Sequence, residues 1–411
     1  MNWSPSERAM LRDVALKVAE IAADPVQERT ADLWRRLNRL ERTRPLIMLY
    51  DWTQHETGHK VELVCQDEEL RKIELELKDR IYRWRNMRDD QVWGPVYYSD
   101  MAIHSTGYGM ETDETLPDHV FGARRYNGTL EDDSPPSLLP MPLITVDREE
   151  SERRYQSICD LFGDILDVQM RGATDAWCQP MDEFIQWRGI EKAMTDMLDR
   201  PEWLHSWLDR IITSDISRVE QYEKLGVLHL NNGESFLYTG GHGCTDELPA
   251  PDFDPARVRT KDVWGLASTQ IFSDVSPAMH EEFALRYERR FLSRFGLAYY
   301  GCCEPLHAKI DLILKHIPNV RKISMSPWAD VEAGAAAMGK RAVFSYKPNP
   351  AILGLPDWNP DAARKQLRDV FEKTRDCVVE VTMKDLHTVR GEVNRMSEWI
   401  SMAKELAEEY A

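Results

Sequence analysis

The chain of 411 residues has no apolar run approaching the roughly 20 residues of a membrane-spanning helix. Its first ten residues, MNWSPSERAM, lack the basic-then-apolar layout of a secretory leader, so a cytoplasmic protein is expected. Positive charge is also short: 52 Lys and Arg stand against 70 Asp and Glu, a net charge of −18, and the basic residues are scattered rather than gathered into a stripe. Nucleic acid and anionic membranes are therefore not expected as partners. No G-x-G-x-x-G turn follows a strand-like run, which argues against dinucleotide binding. Seven cysteines, at 65, 159, 178, 244, 302, 303 and 377, are odd in number and too spread for a disulfide framework. They read as free thiols or metal ligands.

What is present is alternation. Residues 1–43 carry a helix start at Ser4-Pro5-Ser6-Glu7 and Leu33, Leu37 and Leu40 at helical spacing, predicting an N-terminal helical extension that serves as a cap or a homodimer arm. PLIMLY (45–50) reads as a buried strand that opens the core. Acid- and proline-rich residues 111–140 are expected outside the sheet. From about residue 148 onward, helical stretches alternate with short apolar runs: VWGLASTQIF, LAYYGCC, VRKISMSP, RAVFSYKPNP and CVVEVTM. Strands alternating with helices predict a parallel α/β fold, and their number favours a (β/α)8 TIM barrel over residues 44–411.

In such a barrel the chemistry comes from the C-terminal ends of strands. That filter selects Asp51, Trp52, His55 and His59 after PLIMLY, Asp100 after VYYS, Asn232 after GVLHL, Lys347 and Asn349 in YKPNP, and the run YYGCCEPLH. Cys302, Cys303, Glu304 and His307 crowd into that last run. Zinc sites need soft thiolate supported by imidazole or carboxylate, with a position left open in catalytic sites. Neighbouring strand residues point to opposite faces, so one of Cys302 and Cys303 is expected inward and the other packed. The loop FLYTGGHGCTDELP adds His242 and Cys244 beside flexible glycines, which would complete a site if it folds over the barrel mouth. The plain alternative is that isolated cysteines behave as small hydrophobes. His280, next to Glu281 and Glu282, reads as part of a solvated helix face.

Three runs carry a resemblance. IFSDVSPAMHEEFALRYERRFLSRFGLAYYGCCEPL resembles the uroporphyrinogen decarboxylase superfamily, in which an SP-opened helix leads into a strand ending in an H-x-C-G-like turn. ISMSPWADVEAGAAAMGKRAVFSYKPNPAIL is similar to that family's acidic turn, Gly-Lys step and N-x-N-P-like loop, and VYYSDMAI to its early strand ending near an aspartate. The likeness is good over about 150–400, weaker over 44–110 and absent from the first forty residues. The arginine-rich stretch that grips porphyrinogen carboxylates in the true decarboxylases is replaced here by YDWTQHETGHK, which has no arginine. The chain is therefore closer to the zinc-dependent corrinoid methyltransferase branch, although Tyr300 stands where that branch has a histidine.

The resemblance implies an enzyme that moves a methyl group between a small-molecule substrate and a corrinoid protein. Zinc would be held by Cys302, His242, Glu304 and Cys244, catalysis assisted by Asp100 and Glu304, and substrate bound by Asp51, Trp52, His55, Asn232 and Asn349. Zinc would act as a Lewis acid, and the corrinoid would reside on a partner. Two other expectations stand beside this one: a metal-independent decarboxylase or lyase with Asp100 stabilising charge, and a non-catalytic barrel binding a corrinoid or tetrapyrrole.

Overall fold

The computed structural model describes residues 3–58, 60–117, 122, 124–174 and 176–411; His59 lies outside the described residues. Two helices lead the chain, α1 (Pro5–Ala22) and α2 (Pro25–Asn38). Each opens with a proline in its first turn behind a capping side chain, Ser4 accepting from Glu7 N and Asp24 from Val26 N. The apolar face of α1 (Leu11, Val14, Val18) is used within the chain, against Leu70, Ile73 and Leu77 of the helix Glu68–Asn86.

The strands that build the site are β1 (Leu46–Asp51), β2 (Val96–Asp100), β3 (Asp167–Arg171), β4 (Trp177–Cys178), β5 (Trp264–Ala267), β6 (Leu297–Tyr300), β7 (Val320–Met325), β8 (Val343–Tyr346) and β9 (Val378–Leu386). Seven of them form one parallel sheet in the order β1-β9-β8-β7-β6-β5-β4, with helices such as Pro360–Lys373 and Asn394–Glu408 packed on its outer face. β2 and β3 pair in parallel as a separate ribbon. The described residues of the stretch 111–140 lie outside the main sheet, as their composition predicts.

The sheet is a curled half-barrel, TIM-like but not the closed (β/α)8 ring expected. The physical reason lies at the outer edge of β1. There the N–H groups of Ile47 and Leu49 donate to the carboxylates of Asp90 (2.7 Å) and Asp89 (3.2 Å), so side chains take the bonds that a neighbouring strand would have made. The open interior is filled by the loop containing Phe236–Cys244. Tyr50 donates to Gly240 O (2.6 Å), Thr239 to the Tyr299 hydroxyl (3.0 Å), and Gly241 N to Glu380 (3.2 Å). A Cβ on Gly241 would come within 2.2 Å of the Trp34 ring, so only glycine lets this loop pass α2.

Candidate active site at the mouth of the half-barrel

β6 ends in Gly301, whose φ of +95° turns the chain sharply, and a Cβ there would meet Leu306 at 2.4 Å. The next residues are Cys302 and Cys303, fixed by bonds from neighbouring strand ends. Cys302 N donates to Glu304 (3.0 Å), the same carboxylate accepts from Thr269 N beyond β5 (3.2 Å), and the Ser324 hydroxyl of β7 donates to Cys302 O (2.8 Å). Glu304 is fully buried, and burial raises its pKa. It ties the thiol turn to the neighbouring strand.

Across the mouth, β9 carries Lys384 and Asp385. Pairing with β1 shifts register here, Leu49 opposite Met383 but Asp51 opposite Leu386, and Asp385 takes a left-handed φ of 56°. Such an irregularity re-aims side chains next to sites. Lys384 Nζ lies 3.4 Å from Cys302 Sγ, 3.2 Å from Cys303 Sγ and 2.6 Å from Asp385 Oδ2, and the two sulfurs are 3.5 Å apart.

These contacts divide the two thiols. The hydrogen bond shared by the sulfurs, together with burial, holds the Cys302 proton in place and raises its pKa well above the thiol range. The same bond lowers Cys303; burial opposes this and Lys384 assists it, bringing Cys303 down to about 7. Burial would lower Lys384, but the two sulfurs and Asp385 outweigh it and keep the amine protonated. The arrangement is a half-buried thiol whose ionisation is favoured by a thiol donor and an ammonium beside it, which is how proteins activate sulfur.

Below the thiols, Lys347 donates to the Ser345 hydroxyl (2.5 Å), which donates to Glu380 (2.5 Å), and Glu380 pairs with Lys322 (2.7 Å) with both side chains fully buried. Burial above all lowers Lys347, to about 7. Around the rim, Trp52, Tyr238 and Trp328 are exposed. Tyr238, at a left-handed φ of 48°, lies within the electrostatic reach of Cys302 and Lys384. A bulky residue in that region costs about 1–3 kcal/mol and is held there by its surroundings.

The residues singled out from sequence fall in several places. Cys302 and Glu304 meet at the thiol turn. His242 and Cys244 do not join them: the His242 ring accepts from Val92 N (3.1 Å) and packs against Trp34, while Asn38 of α2 donates to the carbonyls of both His242 and Cys244. Asn232 belongs to that same side, donating to Leu248 O and lining a cleft with Cys244. Asp100 is engaged by Arg171 through two bonds (2.6 and 3.0 Å). Asp51 pairs with Lys60 and accepts from Thr53, Trp52 meets the His387 ring edge-on, His55 is exposed on the short helix Gln54–Thr57, and Asn349 accepts from Ala351 N. His280 is buried rather than solvated: the helix turns π-helical at Glu281–Leu285, and the ring lies 2.7 Å from the Tyr300 hydroxyl and 3.2 Å from Lys309 Nζ.

Among the described residues no group of three His, Cys, Asp or Glu side chains is placed to hold a metal ion. The expected zinc set does not fit: its four members are spread between the mouth and the α2 side, the Glu304 carboxylate is engaged by two backbone N–H groups, and the Lys384 ammonium sits against both sulfurs where a cation would sit. Lys384 itself was missed from sequence. It stands one residue beyond the strand-like run CVVEVTM, and a charge closing an apolar run at a strand's C-terminal end is the signal that marks it.

No family model matches the chain, and no curated protein matches it. Among solved structures it is similar to a methyltransferase from Methanosarcina mazei, with 10% sequence identity over 92% of this chain and 98% of that chain and a TM-score of 0.46. Among the described residues no helix is long and apolar enough to cross a membrane.

Proposed function

We propose that the chain is a methyltransferase-like enzyme whose nucleophile is the Cys303 thiolate, activated by Cys302 and Lys384 rather than by zinc. The observation that carries this reading is the Lys384 ammonium within 3.4 Å of both sulfurs. An ammonium at that distance does for the thiol what a bound metal does elsewhere: it favours the charged sulfur. The thiolate attacks a methyl carbon of a small-molecule substrate, a C–S bond forms, and the bonding pair of the breaking bond leaves with the substrate remnant. The exposed Trp52, Tyr238 and Trp328 around the mouth leave an apolar rim, and a separate corrinoid protein is the partner that the sequence resemblance adds to this reading. Asp100, engaged by Arg171 at the end of the β2–β3 ribbon, gives the decarboxylase alternative no support.

The test is methylation of the folded protein at neutral pH with a small alkylating methyl donor, followed by peptide mass mapping. A single methyl on Cys303, ahead of the other six cysteines, is expected. Equal labelling of Cys159, which is also part-buried, or labelling of Cys302 first, overturns the assignment.

A further inference from the structure

The mouth carries thiols on two consecutive residues, and methyl transfer consumes only one of them. Their sulfurs lie 3.5 Å apart. Cys302 is buried and held at both ends of its backbone, its N–H by Glu304 (3.0 Å) and its carbonyl by Ser324 (2.8 Å), whereas Cys303 is part-exposed. Lys384 Nζ stands 3.4 and 3.2 Å from the two sulfurs and bonds Asp385 (2.6 Å), whose carboxylate is 3.9 Å from Cys303 Sγ. A part-exposed sulfur beside an ammonium, with a second thiol in contact, is the arrangement that oxidants attack selectively. Of the other five cysteines, Cys65, Cys178, Cys244 and Cys377 are buried, and burial raises the pKa of each. Cys159, part-exposed on the helix Arg148–Phe162, serves as the internal control.

We infer that Cys303 is a site of oxidation by peroxides and that Cys302 resolves the product as a disulfide, withdrawing the nucleophile until a thiol restores it. This rests on the thiolate reading above, because the same ionised sulfur is the reactant.

The chemistry balances in two steps. The Cys303 thiolate attacks one oxygen of hydrogen peroxide; the S–O bond forms, the O–O bond breaks, and hydroxide leaves and takes a proton from solvent. The sulfur is oxidised to sulfenic acid and the peroxide is reduced to water. Cys302 Sγ then attacks Cys303 Sγ; the S–S bond forms, the S–O bond breaks, and the hydroxyl leaves as water with the Cys302 proton. Two thiols and one peroxide give one disulfide and two waters. Adjacent α-carbons stand about 3.8 Å apart across a trans peptide, short of the roughly 4.4–6.8 Å of most disulfides, so the closed ring is strained and is expected to be reduced readily.

The experiment treats the full chain at neutral pH with a small excess of hydrogen peroxide, removes the peroxide with catalase, alkylates in denaturant and maps peptides by mass. The peptide carrying Cys302 and Cys303 is expected to be lighter by two hydrogens, closed to alkylation and restored by dithiothreitol, while Cys159 stays reduced. The oxidised protein is expected to take no methyl at Cys303 until it is reduced. In Cys302→Ser a sulfenic acid trapped by dimedone is expected at Cys303, and Lys384→Met is expected to slow oxidation severalfold. The wild-type map stands without either variant. Cys303 ending as sulfinic acid with Cys302 still open to alkylation, Cys159 oxidised first, or no oxidation of protein with a normal melting transition would overturn the inference. Iodoacetamide rates on untreated protein separate the two proposals. A Cys303 alkylated much faster than Cys159 that nonetheless forms no disulfide overturns the pairing and leaves the thiolate reading standing; a Cys303 alkylated no faster than Cys159 overturns the thiolate reading itself.

Discussion

The thiol turn at Cys302–Cys303 and the loop His242-Gly243-Cys244 present similar residue types and opposite environments. At the turn, a neighbouring thiol and the Lys384 ammonium bring Cys303 down to about 7. In the loop, burial and then the Glu234 charge push Cys244 up to about 12, and burial with Lys322 lowers His242 to about 3. The first is a sulfur whose ionisation its neighbours favour, and the second is a pair kept neutral by burial that holds α2 to the half-barrel. A cysteine near a histidine is therefore no guide to chemistry; the charge that faces the sulfur, and its access to solvent, decide.

The comparison breaks most forcefully at Lys322, which lies beneath the loop, donating to His242 O (3.1 Å) and pairing with Glu380 (2.7 Å). Lys322→Met leaves a buried carboxylate without its main partner and is expected to cost about 3–5 kcal/mol in urea unfolding, with the Cys303 titration unmoved. A shift of that titration would show the two regions to be coupled.

Acid provides the next test. A neutral His242 in the fold binds no proton until about pH 3, whereas the unfolded chain binds one near the ordinary histidine value of about 6.5. Between those values the unfolded state holds more protons, so stability falls as pH is lowered, by about 1.4 kcal/mol per pH unit from this residue. His280, lowered to about 3 chiefly by burial, acts with the same sign. His242→Gln keeps an acceptor for Val92 N and is expected to flatten the acid limb of the melting-temperature profile by about half. An unchanged limb would mean that His242 titrates normally.

Cys244→Ala sharpens the contrast from the inert side. Losing a buried sulfur whose one hydrogen bond goes to Gly233 O is expected to cost about 1 kcal/mol and to leave methylation of Cys303 unchanged. A loss of methylation would return Cys244 to the reacting centre.

The alternation of strands and helices was legible because apolar runs and helix starts are local: the helical stretches expected from about residue 148 onward begin with Arg148–Phe162 and include Pro201–Leu225. The thiol turn was legible as a cluster at a strand end. Barrel closure was not, because it depends on whether the edge of β1 meets a strand or the side chains of Asp89 and Asp90, which sequence spacing does not reveal. Nor was the path of the His242–Cys244 loop, which depends on Trp34 and Asn38 some 200 residues earlier. Lys322 and Glu380 left a trace as charges inside the apolar runs VRKISM and CVVEVTM, but their pairing is a tertiary fact.

The most direct measurement is the rate of Cys303 alkylation by iodoacetamide against pH in the wild type and in Lys384→Met, with bound metal quantified on the same samples. A wild-type midpoint near 7, moving toward the ordinary thiol range in the variant, is the expected result. A wild-type midpoint already in that range, or thiols shielded by about one zinc per chain, would contradict the claim that Lys384 activates this sulfur.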